Sequence, residues 1–479
     1  VCASLFNSPC QNSCPANVDV PIYIDLIRQG RYKEAYKIVQ EENPLVLICG
    51  RVCYNLCENS CNRNSIDEAL AIRELKRFVS DYLLEKEGAF PVPEIEEEKD
   101  KEIAIIGSGP SGLTAAFYLR KKGYKVTVFE SESVVGGMLA TAIPEYRLPK
   151  ELLNEEIAVL TTMGVEFVVN TEIGKDISLK ELKDRGYWAV YMAVGAQDDR
   201  SLPIKGKDFP EVYSALELLK NINLGKEINM EGKKVAVIGG GNAAIDIARN
   251  LVRLKAEEVN IVYRRTKQDM PAHREEIEEA EYEQIKMHCQ VNPVKVIGEN
   301  NQITGLECVK IKGGDFDNSG RRRPRQIEGS NFVIDVDVVV SAIGQNVNSS
   351  FNNGELDIQL NDSSLININE DHSTNIPWIF AGGDCVTGPS TVVESIQQGK
   401  EAASSIDSYL GGNGEIIPKK DIKREISSPI LQEEKSRVKM PTILLSERKK
   451  GFIEVEKGYS EDQAVEEASR CLRCDVEDK

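Results

Sequence analysis

Two glycine fingerprints, each set between an apolar strand pattern and a helical one, constrain the fold of this chain more than any other feature. The first is Gly107-x-Gly109-x-x-Gly112, preceded by EIAII and followed by PSGLTAAFYLRKKG. At such a junction the first glycine permits the tight turn, the second lets the backbone approach a pyrophosphate, and the third lets helix and strand pack closely. The helix N-terminus then attracts the anion. The next strand pattern, KVTVFE, ends at Glu130, where a carboxylate can accept hydrogen bonds from ribose hydroxyls. The second fingerprint is Gly239-x-Gly241-x-x-Ala244 after KVAVI, and there the following strand, VNIVYRR, ends in Arg264 and Arg265 instead of an acid. Guanidinium forks suit the 2′-phosphate of NADP, so NADPH is expected over NADH. A glycine triplet alone could be a structural turn, and strand-end arginines can simply face water. The intact strand, turn, helix and second strand point to dinucleotides.

Around the fingerprints, short β-rich runs (WAVYMAVG, VDVVVSAIG, IPWIFAGGD) alternate with helical patterns, which argues for an α/β fold with two parallel Rossmann-like sheets. Residues 1–95 read differently. A cysteine-rich start leads into segments with apolar residues at three-to-four spacing, a small helical domain that ends in the linker FPVPEIEEEKDKE. Beyond residue 411 no periodicity is clear until Ser460, which forms a capping-box pair with Gln463 ahead of AVEEASRCLRC.

A formal net charge of −18 argues against a nucleic-acid partner. The basic run RRRPR, Arg321 to Arg325, reads as a solvated loop. No apolar run approaches the roughly 20 residues of a membrane helix, and no signal-peptide pattern is seen. Twelve cysteines would suggest a disulfide scaffold only in a short secreted chain, so a cytoplasmic setting is expected. Most are crowded at the two ends, as Cys10 and Cys14 (PCQNSCP), Cys49, Cys53, Cys57 and Cys61 (CGRVCYNLCENSC), and Cys471 and Cys474 (CLRC). Four closely spaced thiolates suit zinc or an iron-sulfur cluster, and a redox protein needs an electron outlet more than a structural clamp. Cys289, Cys308 and Cys385 are isolated and read as packing residues, and His273, His288 and His372 show no ligand spacing.

Further stretches match one family in order and spacing: GGMLATAIPEYRLPKELL (Gly136 to Leu153), AVYMAVGA, YRRTKQDMPA, VVVSAIGQN and IFAGGDCVTGPSTVVESIQQGKEAA. Together they resemble the glutamate synthase small-subunit family, which includes the large subunit of NADH-dependent ferredoxin:NADP oxidoreductase and the N-terminal half of dihydropyrimidine dehydrogenase. The resemblance implies a helical iron-sulfur domain (1–95), an FAD domain (96–205 and 346–410) interrupted by an NADPH domain (206–345), and a C-terminal tail (411–479). It also implies that Gly136, Gly137 and Met138 lie along the flavin, that Arg147 is cofactor-binding, and that Gly383 and Asp384 touch the FAD ribityl and pyrophosphate region, Asp384 bonding sugar hydroxyls.

The family's two 4Fe-4S clusters normally draw on a C-x-x-C pair just before the PC-x-x-x-CP segment. Here Cys2 holds the first position of that pair but Leu5 the second, and the missing pair reappears as Cys471 and Cys474. The tail is therefore expected to fold back, or reach a neighbouring chain, so that Cys471 and Cys474 join Cys10 and Cys61 on one cluster. Cys14, Cys53 and Cys57 would hold the other. Some relatives supply its fourth ligand as a Gln or Glu on the following helix, but the matching residue is Lys76, which leaves Cys49 or Cys2.

The resemblance implies hydride transfer between NADP(H) and FAD, then single-electron steps through the clusters to another redox subunit or a ferredoxin. The direction of flow and any electron-bifurcating role stay open, because potentials depend on surroundings that sequence does not display. A glutamate synthase small subunit proper, or a relay subunit without turnover of its own, are the alternatives. A disulfide reductase would need a C-x-x-C in the NADPH domain, and none occurs there.

Overall fold

The computed structural model describes residues 8–316, 322–352, 354, 356–417 and 434–476, so Cys2, Leu5 and Arg321 lie outside the described residues. Strand Glu102–Ile106 is apolar and buried on both faces from Ile103 onward, as parallel strands covered by helices are. It sits at the centre of a five-stranded parallel sheet ordered Ile379–Ala381, Ala189–Met192, Glu102–Ile106, Lys125–Phe129, Glu166–Val168. A second five-stranded parallel sheet runs Val212–Ser214, Val338–Ser341, Lys234–Ile238, Glu258–Tyr263, Lys286–Cys289. Strand Ile379–Ala381 rejoins the first sheet after the second is complete, so one nucleotide fold interrupts the other. The chain leaves through Asp198–Asp199 and returns through Gln345–Asn346, and these two crossings pair antiparallel.

One element was not expected. Val291–Glu299, Gln302–Phe316, Arg322–Gln326 and Phe332–Ile334 form an antiparallel arm on the second fold. The described part of the basic run is thus an exposed strand of that arm and not a loop.

The N-terminal helices Val20–Arg28, Tyr32–Glu42, Val46–Val52 and Ile72–Glu87 share a continuous apolar core with the first nucleotide fold. Tyr118 of the fingerprint helix donates to Glu41 O at 2.8 Å. The linker is pinned to the first fold, with Glu96 N on Lys121 O at 2.9 Å and Lys99 N on Gly123 O at 2.8 Å. Helix Glu461–Ala468 begins at its Ser460–Gln463 capping box and packs on the N-terminal helices of the same chain. Among the described residues no helix is long and apolar enough to cross a membrane.

Candidate functional site

Both fingerprints open into one cavity of about 2240 Å³ between the two nucleotide folds. Gly107 adopts φ +101°, and a Cβ there would lie 2.4 Å from Ala193 O. A Cβ on Gly109 would meet nothing within 4 Å, so the backbone faces open space at the start of helix Pro110–Lys121. Gly239 and Gly241 repeat this pair: the first would collide with Ala342 O at 2.3 Å, the second is open. A cradle of bare backbone at a helix N-terminus is what a pyrophosphate requires, and it occurs twice. Gly137, Met138, Arg147, Arg264, Arg265, Gly383, Asp384 and Glu130 also line the cavity, whereas Gly112, Gly136 and Ala244 stand behind its wall.

Several of these side chains carry structural duties that the sequence did not display. Glu130 accepts from Ser108 N at 3.0 Å and from the Ser108 hydroxyl, while its other oxygen accepts from Glu132 N at 2.9 Å. Ser108 Oγ in turn accepts from Gly136 N at 2.9 Å, so the carboxylate ties the fingerprint turn to the GGML loop. Asp384 accepts from Ser390 N at 3.1 Å and Ser390 Oγ at 2.9 Å, and burial raises its pKa. Arg265 donates from Nε to Arg322 O of the antiparallel arm at 3.2 Å, which holds its guanidinium at the cavity edge.

Arg147 bridges the two folds. Its guanidinium pairs with Asp246 at 2.8 Å and Glu276 at 3.1 Å, both on the second fold. Burial opposes ionisation of Glu276, but Arg147 and Arg249 beside it hold its pKa down to about 2. Tyr54 of the helical domain reaches the same corner, its ring 5.2 Å from that of His273. Asn242, on the second fingerprint, accepts from His273 N at 3.0 Å.

The cysteines fall into two groups. Cys10, Cys61, Cys471 and Cys474 line one small void. The tail reaches it within the same chain. Buried Arg470 pairs with Asp67 at 3.0 Å and Glu467 at 2.6 Å, Arg473 with Asp25 at 2.9 Å, and Glu467 accepts from Ala71 N at 2.9 Å and Val438 N at 2.8 Å. Cys14, Cys49, Cys53 and Cys57 gather instead around the buried Lys76 side chain. Burial pushes the thiols of Cys10, Cys49 and Cys471 up to about 12. They therefore stay protonated unless a metal displaces the proton. Among the described residues no three His, Cys, Asp or Glu side chains are gathered tightly enough for one metal ion. Four thiolates suit zinc, bonded to sulfur at about 2.3 Å, or a four-iron cluster that takes each thiolate at a different iron. Cys308 and Cys385 are buried and Cys289 half-buried, and among the described residues no dithiol faces the cavity.

Comparison with known proteins agrees with this geometry. The pyridine nucleotide-disulphide oxidoreductase family profile matches residues 101–399, and the dihydropyrimidine dehydrogenase domain II, 4Fe-4S cluster profile matches residues 1–88. The beta subunit of NADP(+)-dependent formate dehydrogenase from Moorella thermoacetica is 39% identical, covering 98% of this chain and 70% of its own length. The beta subunit of NADPH-Fe(3+) oxidoreductase from Geobacter sulfurreducens is 37% identical over 98% of this chain and 75% of its own. The glutamate synthase [NADPH] small chain of Escherichia coli is 34% identical over 85% and 90%. Mycobacterium tuberculosis FprA in complex with NADPH shares the fold of 65% of this chain and 85% of its own, with a TM-score of 0.56 at 20% identity. The chain therefore belongs to the glutamate synthase small-chain family of NADPH-dependent flavin and iron-sulfur oxidoreductases.

Proposed function

We propose that this chain is the nucleotide-handling subunit of a larger cytoplasmic redox assembly, with FAD on the first fold, NADP(H) on the second, and two 4Fe-4S clusters. One cluster would sit on Cys10, Cys61, Cys471 and Cys474, the other on Cys14, Cys49, Cys53 and Cys57. When bound, NADP(H) exchanges a hydride with the flavin, and the clusters carry electrons singly between flavin and partner. The residues of the chain hold and align these groups. Val52 and Tyr54, on either side of Cys53, line the same cavity as both fingerprints, and this observation carries the reading. It supports the second cysteine group as the neighbour of the flavin site. At the far end Cys474 is exposed, which suits an exit to another protein. The subunit names of the Moorella and Geobacter relatives, and their match to 98% of this chain against 85% for the glutamate synthase small chain, support a beta-type subunit.

The test is anaerobic purification with assay of flavin, iron and sulfide, followed by stopped-flow mixing with NADPH. Bound FAD, about eight irons with as many sulfides, and flavin bleaching by NADPH are expected. A yellow protein without iron and sulfide would sink the cluster reading. A loaded protein that NADPH does not bleach would instead favour a relay without turnover of its own.

A further inference from the structure

Lys76 is only 4% exposed on helix Ile72–Glu87. The cations around it are matched by carboxylates: Arg73 pairs with Glu456 at 2.7 Å, Arg77 with Asp81 at 3.0 Å, and Arg51 with Asp81 at 2.7 Å and Glu454 at 2.9 Å. No carboxylate among the described residues pairs with Lys76. The groups that face its ammonium are the thiols of Cys53, Cys49, Cys14 and Cys57. The placement is rigid. A Cβ on Gly50, next to Cys49, would lie 2.6 Å from Arg77 Cα, so only glycine lets helix Val46–Val52 lie this close to the Lys76 helix. A buried ammonium is costly without a counter-anion. Neutral thiols do not provide one, and thiolates on iron do.

We infer that Lys76 is a charge-compensating residue of the flavin-side cluster and sets that cluster's reduction potential above what four thiolates alone would give. The inference rests on the reading that Cys14, Cys49, Cys53 and Cys57 hold a 4Fe-4S cluster. Four thiolates leave such a cluster at a net charge of about −2 when oxidised and about −3 when reduced. Reduction adds one electron, supplied by the reduced flavin, with no bond made or broken at the cluster. The attraction between Lys76 and the cluster strengthens on that step, so the lysine favours the reduced form. Its charge acts from inside the protein, where screening by salt is weak.

Anaerobic full-length protein, native and with Lys76→Met, Lys76→Arg or Lys76→Gln, would be assayed for iron and sulfide and then titrated with redox mediators under EPR. The expected result is unchanged iron and a reduction equilibrium at one cluster about tenfold or more less favourable in Lys76→Met, a fall of about 59 mV or more for one electron. Lys76→Arg should stay near the native value, and the other cluster should not move. Intact iron with both potentials unmoved in Lys76→Met overturns the inference. Native protein without iron overturns the cluster reading beneath it instead. Should Lys76→Met lose one cluster, loading kept by Lys76→Arg and lost by Lys76→Gln supports the charge role, and any other pattern overturns it.

Discussion

Glu156 joins two domains through one carboxylate. From helix Lys150–Thr162 it accepts from Leu47 N at 2.7 Å and Ile48 N at 2.9 Å, the open start of the helix that carries Cys49. Burial pushes its pKa up from 4.5 to about 7, against the pull of those backbone donors. Between these two values the folded protein holds a proton that the unfolded chain has released, so stability falls as pH rises through the window and levels off above it. Glu156→Gln keeps an acceptor and removes the titration. Calorimetry from pH 5 to 8 should show the first unfolding transition of the native protein losing roughly 2 kcal/mol that the variant does not lose. Parallel curves would mean that Glu156 is not the titrating group. Arg265 gives a second residue-scale test. Losing a charge-assisted bond to the 2′-phosphate costs about 1.5–3 kcal/mol, so Arg265→Gln should weaken NADPH binding about 10- to 100-fold and leave NADH unchanged. Equal losses for both nucleotides would show that the arginine does not read the phosphate.

At the scale of elements, the C-terminal segment is held by Arg470, Glu467 and Arg473 without any need for its cysteines. Changing Cys471 and Cys474 together to serine should therefore leave the tail docked while iron falls from about eight to about four per chain. Unchanged proteolysis confirms the docking, and a full iron complement removes these thiols from the ligand set. The helix before them was legible because Ser460 and Gln463 are a local capping signal, as the fingerprints are local turn signals. The antiparallel arm was not. Strand Gln302–Phe316 contains Gly305, Gly313 and Gly314, which read as breaks, and its pairing with Val291–Glu299 shifts register at Pro293/Lys295 and Ile297/Gly298, which blurs the alternation. Pro324 lies half-buried in the adjoining strand Arg322–Gln326 at the edge of the arm, where the lack of an N–H is tolerated. From the residues alone the eight thiols were legible only as two crowded ends of the chain, and it was the family resemblance that suggested a sorting; Cys471 and Cys474 meet Cys10 and Cys61 through packing between residues hundreds apart.

At the scale of the whole molecule, charged contacts tie the second nucleotide fold to its neighbours around the cavity. Arg147 of the first fold binds Asp246 and Glu276 of the second, Arg448 of the C-terminal segment contacts Glu279, and Arg73 of the helical domain reaches Glu275 at 3.9 Å. No periodicity marks pairs so far apart in sequence, and the family resemblance suggested only that Arg147 touches cofactor. The two roles predict different kinetics. As a clamp, Arg147 fixes the angle between the folds, and Arg147→Gln leaves Asp246 without its ion-pair partner and Glu276 with Arg249 alone, which loosens the corner where Tyr54 and His273 meet. Reacting groups then lose alignment, while the phosphate cradles at Gly239 and Gly241 are untouched. Single-turnover flavin reduction by NADPH should slow about 10- to 100-fold, roughly 1.4–2.7 kcal/mol of barrier, with the NADPH Kd within about threefold of native, a change of roughly 0.7 kcal/mol. As a direct ligand, Arg147 would show the reverse, a weakened Kd with a rate near native at saturation. The concentration dependence of one stopped-flow series separates the two, and only the first outcome is compatible with ion pairs holding the nucleotide folds in register.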